Sequence, residues 1–151
     1  CITVSDTRTL DSDESGAVAE RLLSEQGAVV ERQLVRDDVT SITATLTHCL
    51  SRPPDALLLT GGTGIGPRDV TYEALQPLLH RRLDGFGERF RGLSFEEVGP
   101  RALLSRALAG TIGHTLIFAV PGSTQAVRLA LMRLIIPLLP HARSMLLGAA
   151  H

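Results

Sequence analysis

The chain has 151 residues, of which 44% are hydrophobic and 21% are charged, so it is long and apolar enough to bury the core of one domain. Its 15 basic and 16 acidic residues give a net charge of -1, which excludes a global field that would attract nucleic acid or an anionic membrane. Every basic residue is an arginine, so the chain has neither a Walker lysine nor a Schiff-base lysine.

The elements in the first half of the chain alternate between strands and helices. Helical periodicity predicts one helix at 14–26, between an N-cap at Asp13 and a terminating Gly27, and another at 39–50. This alternation implies right-handed crossovers and a mainly parallel sheet with helices on both faces, with binding loops at the carboxyl ends of the strands. Short apolar runs closed by polar, glycine or proline residues predict four buried strands: 2–5, 28–35, 56–60 and 116–120.

The second half of the chain is less regular. Helical periodicity predicts a helix at 70–79, whereas the glycines within 85–99 predict only a short helix and a loop. Two apolar runs on either side of 110–113 predict a hairpin that adds one antiparallel strand. A long helical pattern closes the chain, and Pro137 and Pro140 predict a kink or a break in it.

Cysteine, histidine and hydropathy patterns exclude further classes of protein. The two cysteines and five histidines show no metal-ligand spacing, which argues against a disulfide scaffold and against structural zinc. The longest unbroken apolar run, Leu116–Val120, is far shorter than the roughly 20 residues of a membrane helix. We expect a soluble cytoplasmic protein of one domain, residues 1–151, with no nucleic-acid or membrane partner. Because a strand-like run begins directly at Cys1, we also expect the natural sequence to start further upstream.

The strongest local signal is the glycine-rich segment Thr60–Asp69, which reads TGGTGIGPRD and links a predicted strand to a predicted helix. Its four glycines allow backbone N–H groups to turn inward, and the helix N-terminus that follows favours an anion. The spacing fits neither the Walker pattern nor the dinucleotide fingerprint. We interpret the segment as a phosphate cradle, with a tight strand-to-helix turn as the alternative.

Acidic residues stand where they would face this glycine loop. Asp69 closes the loop before a helix, where it serves either as an N-cap or in metal and phosphate chemistry. Asp37 and Asp38 follow the second predicted strand, so a parallel sheet brings them to the same edge. Three converging carboxylates beside phosphates suit Mg²⁺, although helix capping alone would explain Asp38.

Two more strand ends carry small polar residues. Gly122 and Ser123 follow the strand 116–120 at a helix start, as a second anion contact or as an ordinary N-cap. Ser5 ends the first strand in a similar way. Four arginines could bind phosphate, but solvated surface side chains are the favoured interpretation: Arg8, Arg68, Arg81 and Arg82.

These motifs together resemble one family, the molybdenum cofactor biosynthesis proteins of the MoaB/MogA type, which share their domain with the G domain of gephyrin. The stretch 86–109 looks more like the MoaB branch than the MogA branch. The matching segments recur in order along the chain: Val4–Thr7, Ser15-Gly16, Thr60–Gly64, Asp69–Thr71, Glu73-Ala74, Gly85–Glu88, Ser105–Ala107 and Pro121–Ser123.

The resemblance implies a molybdopterin-binding, MogA-like fold of three layers, α/β/α, in a homo-oligomer that is a trimer or a hexamer. It implies Mg²⁺-dependent adenylyl transfer, in which a terminal phosphate of molybdopterin attacks the α-phosphorus of ATP. Asp37 and Asp69 match family acids and are the expected catalytic and Mg²⁺-binding residues. The expected substrate- and phosphate-binding residues are Ser5, Thr60, Gly61, Gly62, Thr63, Gly64, Gly122 and Ser123.

Two departures from the family pattern bear on these assignments. The pair Asp37-Asp38 leaves open which acid matches, and Gln125 stands where related sequences often carry a lysine. The alternative function is a non-catalytic carrier or scaffold that binds molybdopterin without transferring AMP. The expected partner protein is one that inserts molybdate. The expected subunit contact is formed by apolar residues of the last helix: Leu134, Ile135, Ile136, Leu138 and Leu139.

Overall fold

The computed structural model describes residues 1–149, which form a six-stranded sheet with helices on both faces. The strands are β1 (Ile2–Val4), β2 (Gln33–Val35), β3 (Ala56–Thr60), β4 (Arg81–Arg82), β5 (Leu108–Ile112) and β6 (Thr115–Val120). The α-helices are α1 (Glu14–Ser24), α2 (Val39–Leu50), α3 (Thr71–Leu75), α4 (Asp84–Val98), α5 (Thr124–Ala130) and α6 (Ile136–Leu146).

The sheet has the strand order β2-β1-β3-β6-β5-β4. Strands β1, β2, β3 and β6 run parallel, and β5 runs antiparallel to both of its neighbours. This confirms the predicted mainly parallel sheet with one antiparallel strand. The hairpin is confirmed too, but its turn contains Gly113, with φ of 57°, and Gly110 lies within β5. A Cβ atom at Gly110 would lie 2.3 Å from the carbonyl oxygen of Arg81, so the close approach of β4 explains that glycine.

Side chains of the central strands alternate between two hydrophobic cores, one on each face of the sheet. Leu58 and Phe118 belong to the core that also contains residues of α1, α4 and α5. Leu59 and Ile117 belong to the other core, which contains residues of α2 and α3. Because successive side chains of a strand point to opposite faces, this alternation requires helices on both sides. The predicted three-layer α/β/α architecture is therefore confirmed.

Four predicted elements are longer than those observed. The predicted strand 2–5 ends at Val4 and the predicted helix 14–26 ends at Ser24, and the other two differences are larger. The predicted strand 28–35 contracts to β2, because β2 is an edge strand whose only neighbour, β1, has three residues. The predicted helix 70–79 ends as an α-helix at Leu75 and continues as one 3₁₀ turn, Gln76–Leu78. Pro77 is the reason, since its ring would collide with the carbonyl group four residues earlier and it has no N–H to donate.

The prediction of a short helix and a loop within 85–99 is wrong. Helix α4 runs for 15 residues from Asp84 to Val98 and contains three glycines. Phe86, Phe90 and Leu93 recur on one face and are buried against the core, so tertiary packing outweighs the low helix propensity of the glycines. The helix ends at Gly99, whose φ is 68°.

Gly92 tests this assignment because it is exposed and lies inside α4. Since a Cβ atom at Gly92 would meet nothing within 4 Å, we expect Gly92→Ala to raise the free energy of unfolding by about 0.5–1 kcal/mol. At Gly87 on the same helix, a Cβ atom would lie 2.6 Å from the carbonyl oxygen of Ala107, so Gly87→Ala is expected to destabilise the protein. Urea unfolding followed by circular dichroism measures the free energy of unfolding of both variants. Destabilisation by Gly92→Ala would contradict a continuous helix.

The last helix continues through its prolines without a break. A π-helical turn, Leu131–Ile135, joins α5 to α6 just before Pro137, and this wider turn accommodates a residue that cannot donate a backbone hydrogen bond. Within residues 1–149, the segment Thr124–Leu146 is one helix long and apolar enough to cross a membrane, with a mean hydropathy of 1.3 in its most apolar window. Its first half packs into the core. Ile135, expected at a subunit contact, is 2% exposed and belongs to that core.

Candidate functional site

The loops that follow β1, β2, β3 and β6 lie together at one edge of the sheet, because all four strands run in the same direction. These loops carry every predicted site residue except Thr60, which is the last residue of β3. In chain order they contain residues 5–13, 36–38, 61–70 and 121–123.

Two glycines in the glycine loop adopt a backbone conformation that other residues rarely take. Gly61 has φ of 99° and Gly62 has φ of 66°. The N–H of Gly61 donates to the carbonyl oxygen of Val120 at 2.9 Å, which joins the loop to the end of β6. Thr71 holds both glycines from α3, since its hydroxyl donates to Gly61 O at 2.8 Å and its N–H donates to Gly62 O at 3.0 Å.

The two other loop glycines leave space for the carboxylate of Asp69. A Cβ atom at Gly64 would lie 2.7 Å from Asp69 Oδ2, and one at Gly66 would lie 2.8 Å from the same oxygen. The N–H of Gly66 donates to that oxygen at 2.8 Å. The interpretation of Asp69 as an N-cap is wrong, because Val70 occupies the N-cap position of α3 without a side-chain hydrogen bond.

The predicted hydroxyl residues are turned to the protein interior or bind their own neighbours. Thr60 is 1% exposed and its hydroxyl donates to Thr3 Oγ1 at 3.4 Å, while Thr63 is 2% exposed. The hydroxyl oxygen of Ser5 accepts the N–H groups of Thr7 and Arg8 at 3.2 and 3.1 Å. The glycine loop therefore presents backbone rather than threonine side chains to a ligand.

Asp37 has a half-buried carboxylate whose Oδ1 is buried and has no hydrogen-bond partner in the described part of the chain. Burial raises the pKa of Asp37, and the nearby carboxylates of Asp6 and Asp69 raise it further. The N–H of Val70 and the guanidinium of Arg68 oppose this rise in the pKa. An unpartnered carboxylate oxygen beside other acids has the chemistry of a cation ligand.

The neighbouring Asp38 caps a helix, so it does not converge with Asp37 and Asp69 as expected. Its carboxylate accepts the N–H and the hydroxyl of Ser41, both at 2.7 Å, and these bonds lower its pKa. The third carboxylate near Asp37 is instead that of Asp6, whose Oδ1 accepts the N–H of Asp37 at 3.1 Å. Within residues 1–149, no three His, Cys, Asp or Glu side chains are close enough to hold a metal ion by themselves.

The loop after β6 packs directly against the glycine loop. A Cβ atom at Gly122 would lie 3.2 Å from Gly61 Cα, so only a glycine allows this contact without displacement. Ser123 is the N-cap of α5, where its hydroxyl oxygen accepts the N–H of Ala126 at 3.2 Å. Arg8 crosses from the loop after β1 and donates to the carbonyl oxygen of Gly122 at 3.2 Å.

A buried carboxylate anchors this crossing arginine. Asp13, which is 1% exposed, lies 3.5 Å from Arg8 and 3.1 Å from Arg32, and it confirms the predicted N-cap of α1. Its oxygens also accept the hydroxyl of Thr3 at 2.6 Å and the N–H of Gly16 at 3.0 Å. Burial raises the pKa of Asp13, but these hydrogen bonds outweigh the effect of burial and hold the pKa below the ordinary value of an aspartate.

This lowered pKa makes the contribution of Asp13 to stability depend on pH. A carboxylate with a lowered pKa in the folded state stabilises the protein fully above its unfolded pKa, and this stabilisation is lost as the pH falls through the folded value. We expect Asp13→Asn to cost about 1–3 kcal/mol at pH 7, and the difference from wild type to shrink below about pH 4. Urea unfolding of the wild type and the variant between pH 7 and pH 3 measures this difference in the free energy of unfolding. Glu25→Gln, which breaks an exposed pair with Arg21, should change stability by less than about 0.5 kcal/mol throughout.

No role was assigned to Arg106 from the sequence, although its side chain binds two residues of the glycine loop, Gly64 and Asp69. Its Nε donates to Gly64 O and its Nη2 donates to Asp69 O, both at 2.8 Å, and it pairs with Glu73. A cavity of about 340 Å³ lies on this side of the loop. The only signal in the sequence was the Ser105-Arg106-Ala107 motif, since these contacts join residues more than 30 positions apart. The cavity is lined by Ile65, Gly66, Pro67, Asp69, Val70, Glu73 and Arg106.

Comparison with known proteins gives consistent matches over nearly the whole chain. A family described as a probable molybdopterin binding domain matches residues 1–141. Molybdenum cofactor biosynthesis protein B of Staphylococcus carnosus is 53% identical over 144 residues, which cover 93% of this chain and 85% of that protein. A crystal structure of a molybdenum cofactor biosynthesis protein B has a TM-score of 0.92 at 46% identity, covering 97% of this chain and 93% of the other. A structure of MogA has a TM-score of 0.88 at 29% identity, covering 96% of each chain.

Proposed function

Since this chain belongs to the molybdopterin-binding domain family of molybdenum cofactor biosynthesis proteins, we propose that it binds molybdopterin and adenylylates the terminal phosphate of that pterin with Mg-ATP. The observation that carries this proposal is the position of Asp37, whose unpartnered carboxylate oxygen lies 3.0 Å from the Cβ position of Gly62. A phosphate on the glycine loop would therefore lie beside an acid that has free capacity to bind a cation. A helix cap or a structural turn does not need that capacity.

The glycine loop supports phosphate binding through its backbone. The N–H groups of Gly61 and Gly66 already bind Val120 O and Asp69 Oδ2, so the N–H groups that we propose for a phosphate are those of Gly62 and Gly64 between them. Ser123 and Gly122 border the loop from β6, where the N-terminus of the last helix adds a favourable dipole. These loops would bind the phosphates of ATP and of the pterin.

The carboxylates of Asp37 and Asp69 fit the requirements of Mg²⁺. This ion commonly takes one or two protein carboxylates and completes its shell with substrate phosphates and waters, so a group of three protein ligands is not required. Asp37 and Asp69 would hold it. When bound, the ion would neutralise phosphate charge at the reacting centre.

The proposed reaction transfers AMP between two phosphates. An oxygen of the terminal phosphate of molybdopterin attacks the α-phosphorus of ATP, the bond from that phosphorus to the bridging oxygen breaks, and pyrophosphate leaves. The residues of this chain mainly position the two substrates and stabilise charge, which is the general requirement of phosphoryl transfer. The same family membership supports a homo-oligomer, a trimer or a hexamer, as the working assembly, with a molybdate-inserting protein as the recipient of the product.

One observation favours the alternative of a non-catalytic molybdopterin carrier. The carboxylate of Asp69 already accepts the N–H of Gly66, so part of its capacity maintains the loop. A carrier needs the shape of that loop but not the charge of the acid. The two functions therefore differ in whether AMP transfer takes place at all.

The deciding experiment is an AMP-transfer assay on the purified protein. Molybdopterin and Mg-ATP are incubated with the wild type, and adenylylated pterin and pyrophosphate are quantified over several hours. Formation of both products in equal amounts is the expected result. Pterin binding without either product would replace the enzyme with the carrier, and binding of neither pterin nor ATP would overturn both functions.

A further inference from the structure

The glycine loop is held from outside by the side chain of Arg106, which comes from the segment before β5. The backbone N–H of Arg106 donates to Thr63 O at 2.7 Å. In its side chain, Nε donates to Gly64 O and Nη2 donates to Asp69 O, both at 2.8 Å. Thr63 and Gly64 lie near the middle of the loop, and Asp69 is its last residue. The side chain of Arg106 therefore joins the middle of the loop to its end.

The geometry of these contacts requires a guanidinium group. The guanidinium of Arg106 binds two carbonyl oxygens and the carboxylate of Glu73, and it also stacks over the ring of Tyr72 with its Cζ 5.2 Å from the ring centroid. A planar group with several fixed N–H donors satisfies such a set, whereas a lysine ammonium is a point charge on a flexible stem.

A second arginine fixes the segment that carries Arg106. On α4, Nη1 of Arg91 donates to the carbonyl oxygens of Ser105 and Ala107, at 3.3 and 3.2 Å. Gly87, one turn earlier on the helix, makes room for this contact: a Cβ atom there would lie 2.6 Å from Ala107 O and 3.0 Å from the guanidinium of Arg91. The two carbonyls that Arg91 binds flank Arg106 directly in the sequence.

We propose that Arg91 and Arg106 form a positioning relay, in which α4 fixes the segment 105–107 and Arg106 in turn fixes the glycine loop and the backbone of Asp69. Neither arginine needs to react with the substrate. Because Asp69 Oδ2 accepts the N–H of Gly66, the relay also sets the position of that carboxylate. The role of the relay in AMP transfer rests on the proposed function, whereas its effect on the loop does not.

Hydrogen–deuterium exchange on the protein without ligands tests the relay. We expect Arg106→Gln to raise the exchange of residues 61–70 by about tenfold or more, because the variant loses the two guanidinium bonds to loop carbonyls. Arg106→Lys should resemble Arg106→Gln, and Arg91→Gln should act in the same direction to a smaller extent. Exchange in β3 and β6 should stay at the wild-type rate in all three variants.

Two matched variants distinguish the relay from a general effect of lost charge. Arg89→Gln removes an exposed arginine from the same helix and should leave exchange in the loop unchanged. Glu73→Gln removes the ion pair but leaves the carbonyl contacts of Arg106, so the loop should stay protected. The proposal fails if Arg106→Lys protects the loop fully, if Glu73→Gln exposes it as Arg106→Gln does, or if exchange rises equally throughout the protein. A wild type that transfers no AMP would instead refute the proposed function, and the exchange result would still decide the relay.

Discussion

Asp37→Asn and Asp69→Asn should each lower kcat for AMP transfer by about 10²-fold or more, while Asp38→Asn should leave it unchanged. The first two variants remove a negative charge from the edge where the glycine loop and Asp37 Oδ1 meet. At Asp69 the amide oxygen of asparagine can still accept the N–H of Gly66, so the loop should keep its shape. The loss is therefore an effect of charge rather than of folding.

Asp38 is the matched control because it is adjacent in sequence and different in role. Its carboxylate caps α2 through Ser41, and asparagine is an equally good N-cap, so the free energy of unfolding should change by a few tenths of a kcal/mol. The measurements are kcat for AMP transfer and the Kd for molybdopterin, which should stay close to wild type in all three variants. Full activity in Asp37→Asn, or equal losses in Asp37→Asn and Asp38→Asn, would contradict the assignment.

Gly61→Ala should be the most destabilising substitution in the glycine loop. Its Cβ atom would lie 2.4 Å from the carbonyl oxygen of Val4, a backbone atom of β1 that cannot move without disturbing the sheet. The residue also has φ of 99°, which disfavours a side chain. For the collision and the backbone strain together, we expect the free energy of unfolding to fall by about 3–5 kcal/mol. This corresponds to a fall in Tm of about 8–15 °C, and we also expect loss of AMP transfer.

Gly27→Ala separates the two causes. Gly27 follows α1 with φ of 82°, but a Cβ atom there would meet nothing within 4 Å. It therefore carries the conformational cost alone, about 1–2 kcal/mol. Thermal unfolding followed by circular dichroism gives both Tm values. If the two variants lose the same stability, the collision with Val4 has no energetic weight and the loop does not pack tightly on β1.

The parts of the fold that depend on local patterns were predicted well. The bounds of α2 and β3 agree with the prediction, because apolar periodicity and the prolines that follow α2 are contained in the sequence itself. The predicted N-cap at Asp13 is also correct, since capping involves neighbours within one helical turn. The predictions that were wrong concern elements whose structure depends on residues distant in the sequence. Helix α4 tolerates its glycines because Phe86 and Phe90 pack into a core that local propensity does not describe.

For the candidate site, too, some features were predicted from the sequence and others were visible only in the tertiary structure. Strand direction alone predicted that Asp37, Asp69 and the glycine loop share one edge of the sheet, and the parallel pairing of β1, β2 and β3 confirms that placement. The sequence left open which acid of the Asp37-Asp38 pair faces the loop. Only the tertiary structure shows that Asp38 caps α2 and that Asp37 Oδ1 lies beside Gly62 of the glycine loop.

The sequence by itself thus determined the alternation of elements, the direction of the parallel strands and the family of the chain, because these depend on periodicity and on motifs that are contiguous in the chain. Tertiary structure alone decided which side chains hold the glycine loop. Arg106 contacts Gly64, and Arg8 contacts Gly122, across 42 and 114 residues of chain. Hydrogen bonds of this kind form only after the sheet has brought the strand ends together, and no spacing rule in a single sequence encodes their partners.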